Sequence, residues 1–191
     1  MKTISPISSE PTSRANVGRA LREQPLATIF ATGFGVGLAP IAPGTAGSAL
    51  ALAAGWLAVA AFSSHMPSVV AGVGLLTSGL VIGAAAVPVT TRVAVALADS
   101  DPGCIVLDEI AGQLVASAVV PLFPYPSPRA AAAVWIVSFL AFRLFDVWKP
   151  GPIRGWQNLP GGWGIVIDDL AAGALAAGLT AGVATFVSRS A

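Results

Sequence analysis

The chain has 191 residues, 55% of them hydrophobic and only 10% charged, with a mean hydropathy of +0.80 and a formal net charge of +1. A soluble domain carries about 25% charged residues, so the composition is that of a polytopic membrane protein built as one compact unit. The small net charge offers no basic field for nucleic acid. A lone cysteine, Cys104, and a lone histidine, His65, exclude an intramolecular disulfide, a cysteine-based zinc site and a multi-histidine metal site.

Residues 1–25 are polar, carry Arg14, Arg19 and Arg22, and have no apolar core before Leu26. They do not read as a cleaved signal peptide and are expected to form a partly disordered cytoplasmic arm ahead of a membrane-embedded domain over 26–191. The segment 26–47 follows, with Thr32-Gly-Phe-Gly-Val-Gly-Leu-Ala-Pro-Ile-Ala-Pro-Gly-Thr-Ala-Gly-Ser48 at its centre. Its glycines and prolines break a regular helix. Irregular backbone at membrane depth survives only when buried in protein or lining a polar cavity, so a re-entrant or interfacial loop is expected. Its glycines serve either close packing or backbone N–H donation to an anion; it lacks the lysine and strand context of a Walker loop.

Apolar stretches then run over about 48–62, 69–91, 106–123, 130–147 and 165–187. A full crossing needs roughly 20 residues, which the second and last reach comfortably. Small residues such as those of Ala171-Ala-Gly-Ala-Leu-Ala-Ala-Gly178 let helix backbones approach in lipid. The predicted fold is an all-α, polytopic helical bundle. With the N-terminus inside and five crossings, the inner loops hold Lys2, Arg14, Arg19, Arg22, Arg92, Lys149 and Arg154, and the outer ones only Arg129 and Arg189. The positive-inside bias therefore places 92–108 and 146–168 on the cytoplasmic face.

Five of the nine acidic residues sit at the edges of these apolar stretches, and all fall on that face: Asp108, Glu109, Asp146, Asp168 and Asp169. Carboxylates beside hydrocarbon persist when they pair, bind a metal or do chemistry. Each motif has a plain alternative. Asp108-Glu109 and Asp168-Asp169 are also what a helix N-terminus favours, but adjacent acids point about 100° apart, so one cannot repeat the other's cap. Gly112, four residues after Asp108, leaves room on the same face for an ion or a neighbouring helix. Asp146 has Arg143 three residues before it and Lys149 three after, an ion-pair spacing. Lys149-Pro-Gly-Pro-Ile-Arg154 then holds two cations on a stiff loop, which also suits contact with anionic headgroups.

Carboxylates beside fixed cations suit a phosphate ester on Mg²⁺, a hard ion that takes carboxylate, water and phosphate oxygens. Arg and Lys supply complementary phosphate donors. Cysteine-phosphatase, histidine-phosphatase and Asp-x-Asp chemistries lack their residues: Ile110 stands six positions after Cys104, and His65 is predicted on the opposite face. A carboxylate–metal mechanism remains, with water or an aspartate as nucleophile. The rival readings are a membrane cation transporter, whose acids should follow a path through the bilayer, and a non-enzymatic bundle whose acids are caps and ion pairs.

Together the motifs resemble the phosphatidylglycerophosphatase A family. The matching pieces are Ala31–Ser48, Ile105-Val-Leu-Asp-Glu-Ile-Ala-Gly112, Phe142-Arg-Leu-Phe-Asp-Val-Trp-Lys-Pro-Gly-Pro-Ile-Arg154 and Gly161-Gly-Trp-Gly-Ile-Val-Ile-Asp-Asp-Leu-Ala-Ala-Gly173, in order and over about 26–188. The resemblance implies a Mg²⁺-dependent, multi-pass phosphatase of the bacterial inner membrane. It would convert phosphatidylglycerophosphate to phosphatidylglycerol and inorganic phosphate, a late step of acidic phospholipid synthesis. On this reading Asp108, Glu109, Asp146, Asp168 and Asp169 form the metal-binding and catalytic centre, Lys149 and Arg154 bind phosphate, and Arg143 assists or pairs with Asp146. Thr45 and Ser48 are further candidates for the substrate.

Overall fold

The computed structural model describes residues 14–99 and 102–189. Among them the chain is helical and has no strand. Helix α1 spans Arg14–Glu23 and α2 spans Pro25–Ala31; a 3₁₀ turn at Val36–Leu38 leads to α3, Pro43–Phe62. Helix α4 is Ser68–Leu97, α5 is Leu107–Ser117, and a 3₁₀ turn at Val120–Leu122 precedes α6, Pro128–Trp148. The one-turn α7, Ile153–Trp156, and the long α8, Gly162–Arg189, complete the described residues. The polar arm expected over 1–25 is helix from Arg14 to Glu23, packed on α2 and α4; residues 1–13 lie outside those described.

Local signals explain the boundaries. Proline occupies the first turn of α2, α3 and α6, where its missing N–H costs nothing and its φ is already helical. Ser127 caps α6 by accepting from the Ala130 N–H at 3.2 Å. Helices α4 and α6 stop where Ala98 and Lys149 turn left-handed, at φ +56° and +46°, and Pro150 forbids continuation of α6.

Four helices, α3, α4, α6 and α8, are long and apolar enough to cross a membrane, and each buries only 22–33% of its most apolar stretch in the protein. Their outward faces carry side chains such as Leu57, Val81, Leu140 and Phe186. That surface suits lipid, where packing rather than water exclusion joins helices.

The stretch 106–123 departs from the five-crossing expectation. It is helical for only 11 residues, about 17 Å at 1.5 Å per residue, too short to span. Helix α5 is instead the buried axis of the bundle, packed on α3, α4, α6 and α8. Eight of its residues, Asp108 and Ala111 through Ser117, are buried. Close backbone contact makes this possible: a Cβ on Gly112 would lie 2.6 Å from the Asp169 carbonyl oxygen, and one on Gly173 would overlap the Gly112 carbonyl. The space that Gly112 leaves is thus filled by α8 and the Phe142 ring. Gln113 Nε2 donates to Ser117 Oγ at 2.9 Å, and Ser117 meets Ser138 of α6 at 3.2 Å, a polar tie inside the bundle.

Although α5 is short, the chain still changes ends there. Gly79 of α4 packs on Ala111 and Val115, and Gly72, near the start of α4, packs on Ala118 and Leu122. The C-terminal end of α4, the N-termini of α3, α5 and α8, and the C-terminus of α6 therefore meet at one end of the molecule.

Candidate active site

All five carboxylates gather at that end, around a cavity of about 970 Å³ lined by Asp108, Glu109, Asp146, Lys149, Asp168 and Asp169 among others. Helix α5 delivers Asp108 and Glu109 from its first turn, α6 delivers Asp146 from its last, and α8 delivers Asp168 and Asp169. Four of them are nearly inaccessible, with Asp168 1% and Asp169 3% exposed.

The five divide into two sets. Asp108, Glu109 and Asp169 present oxygens that all lie within 4.8 Å of one another. One oxygen of each, Asp108 Oδ1, Glu109 Oε2 and Asp169 Oδ2, is buried with no hydrogen-bond partner. Buried acceptors are normally satisfied, and like charges this close in low dielectric repel strongly. An oxygen-only donor set with three unfilled acceptors fits a hard divalent cation such as Mg²⁺.

Asp146 and Asp168 are engaged by cations instead. Arg143 Nη1 pairs with Asp146 Oδ2 at 2.8 Å, and Lys149 Nζ stands 3.9 Å from Asp146 Oδ1. Lys149 Nζ also donates to Asp168 Oδ2 and lies 4.0 Å from Asp169 Oδ1. Lys149 thus bridges the two sets. Burial alone would lower its pKa, but the bond to Asp168 and the fields of Asp169, Asp168 and Asp146 outweigh that and hold the ammonium above its ordinary range. Its left-handed backbone, which costs a non-glycine residue roughly 1 kcal/mol or more, turns the chain at this point.

The cations read from the sequence are not equivalent. Only Lys149 lines the cavity; Arg143 and Arg154 do not, nor do Thr45 and Ser48. Arg143 Nη1 also donates to Ser48 Oγ at 3.2 Å, and Ser48 Oγ donates in turn to the Gly44 carbonyl at 2.8 Å. The Glu109 carboxylate rests on Gly44, where any Cβ would overlap its Oε1 and stand 3.4 Å from Arg143 Nη1. Arg143 and Ser48 therefore lock the start of α3 to α6 behind Glu109. Thr45 lies in the first turn of α3, and Arg154 is exposed on α7.

Between Gly33 and Ala39 the amides of the glycine-rich loop are taken up by the chain itself. The N–H groups of Gly33, Gly35, Val36, Gly37, Leu38 and Ala39 all donate to carbonyls of the loop and the α2 end that leads into it. A Cβ on Gly37 would overlap the Cys104 carbonyl, and one on Gly47 would lie 2.7 Å from Val106 Cβ. These glycines let the loop clasp the segment that leads into α5, a clasp that the Val106 N–H closes on the Ala31 carbonyl at 2.8 Å.

Sequence reasoning missed the far wall of the cavity, formed by Thr91, Val95, Asp99, Gln157 and Leu159. Asp99 belongs to the same predicted inner loop, 92–108, as Asp108, and that shared loop was the available signal. Thr91 Oγ1 accepts from the Gly162 N–H at 2.7 Å and donates to the Val87 carbonyl at 2.7 Å, joining α8 to α4.

Comparison with known proteins follows the same residues. A family model described as phosphatidylglycerophosphatase A matches residues 29–184. The chain is 35% identical over 153 residues to a phosphatidylglycerophosphatase A of Escherichia coli K12, covering 79% of each chain. It is 32% identical over 151 residues to a Bacteroides thetaiotaomicron protein assigned provisionally as a phosphatidylinositol-3-phosphatase, covering 78% of this chain and 87% of that one. A Haemophilus influenzae phosphatidylglycerophosphatase A is 32% identical over 146 residues, 75% of this chain and 80% of its own. No solved structure matches the chain at a significant level. On the family match and these identities, the chain belongs to the phosphatidylglycerophosphatase A family of phosphoric monoester hydrolases.

Proposed function

We propose that the chain hydrolyses the phosphate monoester of phosphatidylglycerophosphate, releasing phosphatidylglycerol and inorganic phosphate, with Mg²⁺ as cofactor and its site on the cytoplasmic face of a bacterial inner membrane. The observation that carries the reading is the trio of unpartnered buried oxygens on Asp108, Glu109 and Asp169, with the Lys149 ammonium beside it. The trio would hold the ion, which supplies charge neutralisation at the phosphate and activation of the attacking oxygen. Lys149 binds a phosphate oxygen as a point charge. Asp168 and Asp146 hold Lys149 in place, and Arg143 keeps Asp146 and the α3 start fixed. The general base is one of the trio or Asp146, and water is the preferred nucleophile over an aspartate.

The cytoplasmic placement rests on the cation count of the loops. A transporter fits less well. The seven described carboxylates, Glu23 and Asp99 included, all lie at one end of the bundle, and none marks a path across it. Two relatives are named for phosphatidylglycerophosphate and one is provisionally named for a phosphoinositide; a lipid phosphomonoester is common to all three names. Phosphate release by the purified chain from phosphatidylglycerophosphate, phosphatidylinositol 3-phosphate and glycerol 3-phosphate tests the reading. Preference for phosphatidylglycerophosphate is expected. Preference for the inositol lipid would reassign the substrate, and release from none of them would remove the enzymatic reading.

A further inference from the structure

Residues 26–41 present an apolar face that no part of the described chain covers. Leu26 is 71% exposed, Phe34 74% and Ile41 83%, and Phe30 and Leu38 are about half exposed. Phe30 and Phe34 meet edge to face, with ring centroids 5.3 Å apart. The opposite face is closed: Ala27, Thr28 and Ala31 are buried, and Ala27 and Ala31 pack with Cys104 and Ile105. The polar groups of the segment are turned inward as well. Thr28 Oγ1 donates to the Gln24 carbonyl and Thr32 Oγ1 to the Ile29 carbonyl, and the loop amides are bonded locally. Phe34 holds this outward pose at φ +58°, a left-handed conformation uncommon for a bulky residue. A segment in water has no reason to turn its polar groups in and its aromatic rings out.

The surroundings say what covers this face. Helix α3, one of the four candidate spans, begins two residues after Ile41 and carries exposed Leu50, Trp56 and Leu57 down its length. On the sequence side away from α3, α1 bears exposed Arg19 and Arg22. Around the same end of the bundle stand Trp148, 59% exposed, and Trp163, 54% exposed; tryptophan concentrates where hydrocarbon meets headgroups. Along the chain the apolar face thus runs on into the apolar surface of α3 and is preceded by the cations of α1.

We propose that the α2 and 3₁₀ arm, through Leu26, Phe30, Phe34, Leu38 and Ile41, is inserted into the headgroup–acyl boundary of the membrane. It would form, with Trp148 and Trp163, a collar that fixes the acidic cavity at phosphate depth. The arm is clamped to the catalytic helix: Gly33 packs on Val106 and Ile110 of the α5 start. Its depth therefore sets the depth of Asp108 and Glu109. The partner is the lipid surface itself, distinct from the substrate molecule held in the cavity.

The test uses the full chain with Cys104→Ala, reconstituted in phosphatidylethanolamine–phosphatidylglycerol bilayers, with nitroxides at Phe34→Cys, Ile41→Cys and, as a control, Glu23→Cys. Collision with oxygen and with a water-soluble nickel chelate reports depth. Labels at 34 and 41 are expected roughly 5–10 Å below the headgroup surface, and the label at 23 in water. Labels at 34 and 41 that meet nickel as freely as the label at 23, or that are shielded from both colliders by protein, overturn the proposal. A second arm rests on the phosphatase reading: Phe34→Ser/Ile41→Ser is expected to lose about tenfold or more in rate on bilayer-borne substrate, because the cavity no longer sits at phosphate depth, and little on a short-chain analogue dissolved as monomers. Equal loss on both substrates counts against the collar. Absence of activity in the parent chain while both labels report lipid would sink the phosphatase reading and leave the anchor standing.

Discussion

The Lys149 ammonium donates a hydrogen bond to Asp168, nineteen residues later in the chain and almost fully buried on α8. The pair joins the end of α6 to the start of α8 and aims a fixed cation at the carboxylate trio. Its removal from either side has different consequences. If Lys149 binds phosphate as proposed, Lys149→Met takes away a charge-assisted contact worth ~1.5–3 kcal/mol, or roughly 10–100-fold in kcat/KM. Asp168→Asn leaves the ammonium present with at most a neutral amide oxygen in place of the carboxylate, beside the longer ties of 3.9 Å to Asp146 and 4.0 Å to Asp169. Its loss is expected to be smaller and mainly in KM. Steady-state kinetics of both variants, with circular dichroism to establish folding, checks the ordering.

The trio predicts a crossing of stabilities. Without metal, Asp169→Asn or Asp108→Asn removes repulsion among buried carboxylates, so Tm should rise above that of the parent chain. With Mg²⁺ at a hundredfold excess over Kd, the parent chain gains about 2.7 kcal/mol, while the variants gain little. Thermal unfolding in detergent with EDTA and with Mg²⁺ reads both signs. Parallel shifts in parent and variants would mean that the ion binds elsewhere.

Gly112 and Gly173 are where α5 and α8 touch backbone to backbone. Ala at either position forces the helices apart, with an expected cost of about 1–3 kcal/mol. Gly178→Ala on the same helix, where nothing lies within 4 Å of an added Cβ, should be neutral or stabilising, since Ala is the better helix former by up to ~1 kcal/mol. Chemical or thermal unfolding of the three variants separates the two kinds of glycine.

Gly44 has a local role. An added Cβ would push the Glu109 carboxylate out of its seat while leaving the helices in contact. Gly44→Ala is therefore expected to weaken Mg²⁺ binding by about 10–100-fold, the usual effect of disturbing a ligand's support, with Tm in EDTA close to that of the parent. Mg²⁺ titration followed by thermal shift or calorimetry checks it.

Much of the site is legible in the sequence. The acidic pairs and Asp146 stand out because carboxylates are scarce in so apolar a chain, and the loop cations place them at one end, where the structure brings them together. The division of labour is not legible there. Asp168 and Asp169 are neighbours, yet one faces Lys149 and the other faces Asp108 and Glu109, because the Gly112–Gly173 contact sets how α8 is turned against α5. The length of α5 is hidden too, since a helix buried in protein and one facing lipid have the same hydropathy. The loop glycines fit packing and anion binding equally well in sequence; the local bonding of the Gly33, Gly35 and Gly37 amides and the close contacts of Gly37 and Gly47 favour packing there.

Phosphate release from short-chain phosphatidylglycerophosphate, measured across a Mg²⁺ titration for the purified chain and for folded Asp108→Asn and Asp169→Asn, tests whether a cation at the carboxylate trio drives the reaction. Release that depends on Mg²⁺ in the parent chain and falls by several orders of magnitude in both variants is the predicted result. Release that proceeds in EDTA, or that survives in either folded variant, would contradict a catalytic cation held by Asp108, Glu109 and Asp169.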